Sequence, residues 1–291
     1  MGCVLFTTVL YAPSDRCGTI YVIFLERGIF RKVLGIIGGS GLYELEGFTT
    51  QETRKIKTPF GDPSDYYTIG ALNGQEVAFL PRHGLRHSIQ PHKINYRANI
   101  RGFKELGVDG ILSISAVGGI RTDLAPGAIV IPDQIIDMTS NRDATFYEGD
   151  KVIHIDFTEP YCPELRKSII ETSKTIGLEV HDSGTYVCVN GPRLETRAEI
   201  QFFDRMGAHI VGMTAMPEAS LAREAEICFG GISVVTNYAA GIKERSLRAK
   251  EVVEVMNATT VKLKVFLREI LHSIPKERTC ACRNVLREAT V

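Results

Sequence analysis

The chain has 291 residues, of which 44% are hydrophobic and 23% charged, with 34 basic side chains balancing 34 acidic ones. The length fits one large α/β domain or two small ones with a sizeable core, the composition is ordinary for a globular protein, and the neutral balance gives no basic surface for a nucleic acid or a membrane. No apolar run is long enough to span a bilayer, and the seven scattered cysteines (Cys3, Cys17, Cys162, Cys188, Cys228, Cys280, Cys282) do not make a disulfide scaffold. No two cysteine pairs have zinc-ligand spacing, so no metal is expected.

Residues 1–32 differ in character from the remainder of the chain. The stretch 1–12 is apolar and lacks the basic n-region of a secretory signal, and 18–30 is apolar again, with Arg27 and Arg31 near its end. They read as an N-terminal extension before a domain over 33–272 and a polar tail over 273–291. Val33-Leu34-Gly35-Ile36-Ile37 reads as a buried strand running into the turn Gly38-Gly39-Ser40-Gly41. Its free N–H groups can cradle an anion, with the Ser40 hydroxyl as a further donor. The spacing is not a clean G-x-G-x-x-G, so a dinucleotide loop is weakly supported.

Strands and helices then alternate. A strand over 77–80 ends at Pro81-Arg82-His83-Gly84, and a helix over 95–106 is stopped by Gly107. A strand over 110–115 leads into Ala116-Val117-Gly118-Gly119, and another covers 128–132. Helices follow over 164–177, 196–206 and 218–226, strands over 184–189, 209–213 and 231–236, and a long amphipathic helix over 250–271. This alternation predicts one α/β domain with a mixed, mainly parallel central sheet flanked by helices.

Polar groups recur at the strand ends: Ser40, Arg82 with His83, Ser115 with Ala116, Met213 with Thr214, and Asn237. Ligands of open α/β sheets bind past the carboxyl ends of strands. One guanidinium, one imidazole and three hydroxyls suit a free phosphate better than a pyrophosphate. Glu195, at the entry to the helix over 196–206, reads either as a first-turn carboxylate favoured by the helix dipole or as an acceptor for ring N–H donors. Glu195 with Asn237 suits a ring edge that presents N–H donors beside a carbonyl, as in guanine and hypoxanthine.

Gly38-Gly39-Ser40-Gly41-Leu42, Arg82-His83-Gly84, Asn95-Tyr96-Arg97-Ala98-Asn99, Gly191-Pro192-Arg193 and Gly212-Met213-Thr214 with Pro217-Glu218 together resemble the trimeric purine nucleoside phosphorylase and methylthioadenosine phosphorylase family. The resemblance implies a pentosyltransferase of purine salvage, which turns a purine nucleoside and phosphate into free purine and a pentose 1-phosphate. It implies inorganic phosphate as co-substrate, no cofactor and no metal, a cytoplasmic location, and assembly as homotrimers or homohexamers.

Carried over by position, Ser40, Arg82, His83, Ser115, Ala116 and Thr214 are the phosphate residues. Met213 lies under the ribose, and Leu194, Glu195, Asn237 and Ala239 lie at the base. The resemblance makes Asn237, His83 and Arg82 the catalytic set: phosphate held by Arg82 and His83 approaches C1′, and Asn237 stabilises the charge on the departing purine. Adenine-directed members carry aspartates where this chain has Asn237 and Ala239, and a small hydroxyl residue where it has Glu195. Both departures point to the 6-oxopurine-directed branch, with methylthioinosine or methylthioadenosine as the alternative substrate.

Other assignments are local. His87 is a candidate beside the phosphate or the 5′ group, and equally a plain loop histidine. Leu247 roughly matches an apolar position at the 5′ end of the sugar. His154 reads as a partly buried histidine or as a contribution to a neighbouring subunit's 5′ pocket. The tail reads as loosely held, with Cys280-Ala281-Cys282 either an oxidised staple or redox pair, or two exposed thiols. A nicotinamide dehydrogenase, one competing reading, calls for an acidic residue about twenty positions past the glycine turn, and 53–59 offers none. A catalytically silent purine-binding protein is the other.

Overall fold

A computed structural model describes residues 33–39, 47–72, 74–243, 249–275, 277–287 and 289, so Ser40, Leu247 and residues 1–32 lie outside the described residues. Strand β1 (Val33–Gly38) is buried along its whole length, as its near-continuous apolar run requires of a strand covered on both faces. Its side chains alternate between two cores. Val33 and Ile37 join one cluster with Tyr67, Ile100, Phe103 and Tyr186, while Leu34 and Ile36 join the other with Phe79, Ile169, Phe266 and Ile270.

The remaining strands are β2 (Phe48–Arg54), β3 (Tyr67–Leu72), β4 (Gln75–Pro81), β5 (Val108–Gly119), β6 (Ile129–Val130), β7 (Gln134–Met138), β8 (Thr185–Val189), β9 (Ile210–Gly212) and β10 (Cys228–Tyr238). The helices are α1 (Tyr96–Glu105), α2 (Pro163–Thr175), α3 (Arg197–Arg205), α4 (Ala215–Glu224) and α5 (Ala249–Ser273). Among the described residues the ten strands form one sheet in the order β2-β3-β4-β1-β5-β9-β8-β7, with β10 beside β5 and β6 beside β10. The pairs β1–β4, β1–β5, β5–β10, β7–β8 and β8–β9 are parallel, and β2–β3, β3–β4, β6–β10 and β5–β9 antiparallel. The mixed, mainly parallel sheet expected from the alternation is present.

Local chemistry sets the helix ends. Asn95 caps α1 by accepting from the Ala98 amide at 3.0 Å. Thr196 and Glu199 form a reciprocal capping box at the start of α3. On α5 the buried Leu263, Phe266, Leu267, Ile270 and Leu271 recur at helical spacing and cover one face of the sheet together with α2. No helix among the described residues is long and apolar enough to cross a membrane.

Three strands have no counterpart in the sequence reading. β2 is the polar run FTTQETR at the sheet edge, almost wholly exposed, so its alternation carries no apolar signal. β7 is five residues long and nowhere fully buried, and the apolar residues of β3 are interrupted by Gly70. The strand over 110–115 continues to Gly119, and only two residues of 128–132 pair as β6. The tail is a correction too: Ala281–Asn284 form a 3-10 turn, and Cys280, Cys282 and Ala289 are buried, so the C-x-C thiols are neither joined nor exposed.

Candidate active site

The central strand β5 changes partners along its length. Parallel β1 covers one edge as far as Ser113, and antiparallel β9 takes over that edge at Gly118. Between them the burial of β5 breaks: Ser115 is half-buried and Ala116 exposed, in a strand buried at most other positions. This gap at the carboxyl end of β1 is where an α/β sheet opens to a ligand. The ends of β1 and β4 meet here, with the Arg82 amide donating to the Gly38 carbonyl at 3.1 Å. Ser115 lies within hydrogen-bond distance of Ser233 (Oγ to Oγ 3.2 Å). Thr214 occupies the N-cap position of α4 but does not use its hydroxyl as a cap.

Arg82 is 2% exposed and points inward. Its Nε and Nη2 donate to the two oxygens of Glu218, itself fully buried, at 2.6 and 2.9 Å. Nη2 also donates to Ser113 Oγ (2.7 Å) and Nη1 to the Ile114 carbonyl (2.9 Å). Burial alone would lower the guanidinium pKa, but the Glu218 carboxylate outweighs it and raises it above the usual arginine value. Of the five N–H donors of an arginine, these contacts leave one Nη1 hydrogen for a ligand. The sequence singled out Glu218 only as part of a motif; its role as the buried counter-charge of Arg82 comes from the fold.

His83 is half-buried, and its Nδ1 lies 2.8 Å from the Ile89 carbonyl. A carbonyl only accepts, so Nδ1 carries the proton and a neutral ring presents a lone pair at Nε2. Burial, then the Arg82 charge, push this imidazole down to about 4, with His87 adding to the fall and the Ile89 bond opposing it. The His87 ring packs on it at 4.5 Å between centroids, on a backbone with φ of 53°. Because the folded pKa lies below the ordinary 6.5, the stability His83 contributes is present above pH 6.5 and is lost as pH falls towards 4. An NMR titration is expected to show the His83 ring unchanged from pH 8 to about 5; a midpoint near 6.5 would refute its neutral assignment.

Met213 is held from two sides. Gly191, at φ +62°, a conformation that strains other residues, lies so close that a Cβ there would sit 2.3 Å from the Met213 sulfur and push that side chain aside. Arg142, which the sequence did not single out, donates from Nη1 to the Met213 carbonyl (2.9 Å) and to the Met216 carbonyl (2.5 Å). Its Nη2 donates to the Asn190 carbonyl (2.9 Å). One guanidinium thus ties the end of β8 to the turn between β9 and α4. Only an arginine at the centre of three loops does this, and no local sequence pattern announces it.

At the far side, β10 shifts register between Val235 and Asn237, a bulge that re-aims the side chain. Asn237 Nδ2 donates to the Tyr238 carbonyl (3.0 Å), and Oδ1 accepts from the Thr236 hydroxyl (2.9 Å). The Tyr238 contact fixes which end of the amide is nitrogen. Gly241, at φ +81°, comes so close to Arg197 that a Cβ would lie 2.4 Å from its Cγ, which brings the end of β10 against the start of α3.

Glu195 lies just outside α3, because Thr196 is the N-cap; the first-turn acid of that helix is Glu199. Arg193 pairs with Glu199 at 2.6 and 2.9 Å. Burial raises the half-buried Glu195 carboxyl above its ordinary value; Glu199 adds to this, while its own backbone N–H and Arg193 oppose it. Leu194 is 51% exposed. Ala239 is buried in a cluster with Ile200 and Phe203, and its N–H donates to the Gly119 carbonyl. His154 is exposed rather than partly buried, and its amide donates to the Ala289 carbonyl. Ser40 and Leu247, at the glycine turn and before α5, fall outside the described residues.

Residues 33–272 match the model of the phosphorylase superfamily. A relative in Thermodesulfovibrio yellowstonii, named a probable S-methyl-5'-thioinosine phosphorylase, is 52% identical over 88% of this chain and 97% of its own. One in Dictyoglomus turgidum, named a probable 6-oxopurine nucleoside phosphorylase, is 51% identical over 88% of this chain and 97% of its own. A solved methylthioadenosine phosphorylase from an antarctic soil metagenomic library superposes with a TM-score of 0.85 at 38% identity, over 90% of this chain and 93% of that one. Sheet order, the opening in β5 and these relatives agree: the chain belongs to the phosphorylase superfamily and, within it, to the pentosyl-transferring nucleoside phosphorylases.

Proposed function

We propose that the enzyme phosphorolyses 6-oxopurine nucleosides such as inosine and guanosine, with inorganic phosphate as co-substrate and no cofactor. The observation that carries this reading is the Asn237 amide. With Nδ2 held towards the Tyr238 carbonyl and Oδ1 towards Thr236, it keeps one N–H for N7 or O6 of a 6-oxopurine. The half-buried Glu195, whose neighbour Arg193 is engaged by Glu199, supplies an acceptor for ring N1–H. A site built to pair one purine edge discriminates against the other because the wrong base leaves buried groups unpaired.

In this reading phosphate sits in the opening of β5, against Gly39, Ser115, the amide of Ala116 and Thr214, with the remaining Nη1 hydrogen of Arg82; Ser40, outside the described residues, joins them by the family resemblance alone. Neutral His83 accepts at Nε2 from a hydroxyl of the phosphate or the ribose. Met213 lies under the ribose. As the glycosidic bond breaks, phosphate faces the positive C1′ and the Asn237 N–H faces the negative purine, so both charges meet preset groups. Assembly as a homotrimer or homohexamer belongs to the same reading. The exposed Leu194, Phe202 and Met206 offer a partner subunit apolar surface to cover.

A second reading keeps the reaction and prefers 5′-methylthio nucleosides, methylthioinosine first and methylthioadenosine second, as the names of the T. yellowstonii relative and of a 49% identical Thermofilum pendens S-methyl-5'-thioadenosine phosphorylase suggest. Phosphate-dependent release of base from inosine, methylthioinosine, adenosine and methylthioadenosine separates the two. The proposal expects the 6-oxopurine of each pair to win and inosine to be turned over faster than methylthioinosine. Clear preference for methylthioadenosine would overturn it, and guanine binding without turnover would indicate a silent binder.

A further inference from the structure

Four cysteines that stand far apart in the sequence meet in space. Cys162 is the N-cap of α2, Cys228 opens β10, and Cys280 and Cys282 flank Ala281 in the tail. All four are free and buried, and their sulfurs lie within 4.8 Å of one another, with Cys228 and Cys280 at 3.4 Å. A tetrahedral zinc site with Zn–S bonds of about 2.3 Å sets its sulfurs about 3.8 Å apart. The observed cluster therefore needs only small side-chain adjustments to surround one ion.

The surroundings carry positive charge towards these sulfurs. Arg223 is 8% exposed, and its Nη1 donates to Cys282 Sγ at 3.4 Å. Its Nη2 donates to the Glu159 carbonyl, and among the described residues no carboxylate lies within ion-pair distance of it. Arg278 Nη1 approaches Cys228 Sγ at 3.6 Å while its other end pairs with Asp109. The N-terminal end of α2 faces the cluster through Cys162. A buried guanidinium without a carboxylate is costly among four neutral thiols. Beside four thiolates and a divalent ion, a centre of net charge −2, it has its counter-charge, and N–H···S contacts of this kind are what outer-shell partners of metal thiolates supply. A cavity lined by the exposed Pro275 and Glu277 on one side and by Cys162 and Cys228 on the other gives an ion a way in.

We propose that Cys162, Cys228, Cys280 and Cys282 bind one structural zinc-class divalent cation, which fastens the C-terminal tail to the start of β10 and of α2. On binding, four S–H bonds break, four metal–sulfur bonds form and four protons leave to solvent. The site is closed, with no open coordination position, so it is structural rather than catalytic. It also lies away from the purine site: Cys228 and Asn237 stand at opposite ends of β10, roughly 30 Å apart at about 3.3 Å per residue.

The test uses the full chain, purified anaerobically with neither reductant nor chelator and then supplied with zinc. About one zinc per chain is expected to survive dialysis, with these four thiols protected from alkylation until a strong chelator is added. Chelation is expected to lower the melting temperature by roughly 10 °C and to leave turnover of the best nucleoside substrate at low temperature within about twofold. Replacing zinc by cobalt is expected to give the intense thiolate-to-metal absorption of a tetrahedral sulfur site. Cys282→Ser is expected to lose the metal; should it fail to fold, the cobalt spectrum of the parent decides. Protein that takes up no metal, or a non-reduced mass short of two or four hydrogens, marking disulfides instead, would overturn the assignment.

Discussion

Glu218→Ala is expected to destabilise the fold by about 3–5 kcal/mol, the largest stability loss among the site residues. The carboxylate it removes is fully buried and answers an Arg82 guanidinium that is 2% exposed. Both charges have been taken out of water, and each is returned by the other through a bidentate contact at 2.6 and 2.9 Å, with Ser113 Oγ bridging to Glu218 at 2.9 Å. Removing one partner leaves the other ionised in a pocket that cannot solvate it, so the loss exceeds what the pair itself contributes. Replacing both by apolar residues, as in Arg82→Met with Glu218→Leu, removes both desolvation costs and is expected to stay within about 2 kcal/mol of the parent. The pair of variants separates two roles. If Arg82 serves phosphate through its remaining Nη1 hydrogen, the double variant folds yet its KM for phosphate rises at least tenfold. Urea unfolding and phosphate kinetics measure the two effects. A Glu218→Ala loss below about 1 kcal/mol would refute the buried-pair argument.

The residues that could be read from sequence are those whose signal is local. The apolar run of β1 and the helical spacing of α1 each lie within a dozen residues, and each element formed where expected. So did the placement of Arg82, His83, Met213 and Asn237 at or near strand ends. What escaped is non-local. Nothing near Ser115 indicates that β5 runs on to Gly119 with a gap along one edge, because that gap depends on where β1 stops and β9 begins. Arg82 and Glu218 are 136 positions apart, Arg142 reaches carbonyls 48 to 74 positions away, and Cys228 meets Cys280 across 52. For such contacts residue type offers candidates, and only topology selects among them. The cysteines show this best: zinc-ligand spacing is a rule about ligands within one loop, and a site assembled from a helix cap, a strand start and a tail does not obey it.

Asn237→Asp is expected to shift base preference by roughly 10²-fold towards 6-aminopurines. In the parent, Nδ2 spends one hydrogen on the Tyr238 carbonyl and keeps one for the base. A carboxyl oxygen put in its place faces that carbonyl at hydrogen-bond distance, so a proton is needed between them, and the donor that a 6-oxopurine used at O6 or N7 is gone. The N–H that met the exocyclic amine of a 6-aminopurine donor against donor is gone with it, while the other oxygen, beside the Thr236 hydroxyl, stays an acceptor. Loss of a donor to the departing 6-oxopurine also removes transition-state stabilisation, so kcat falls with kcat/KM rather than KM alone rising. The measurement is the ratio of kcat/KM for inosine over adenosine and for methylthioinosine over methylthioadenosine, in parent and variant. Within each pair the 5′ group is constant, so its contribution cancels and the ratio reports the base edge alone. Because the carboxyl must hold a proton next to Tyr238, adenosine turnover by the variant is further expected to fall as pH rises, a trend the parent amide has no group at this position to produce. An unchanged ratio in both pairs would remove Asn237 from base selection and leave Glu195 as the discriminating group.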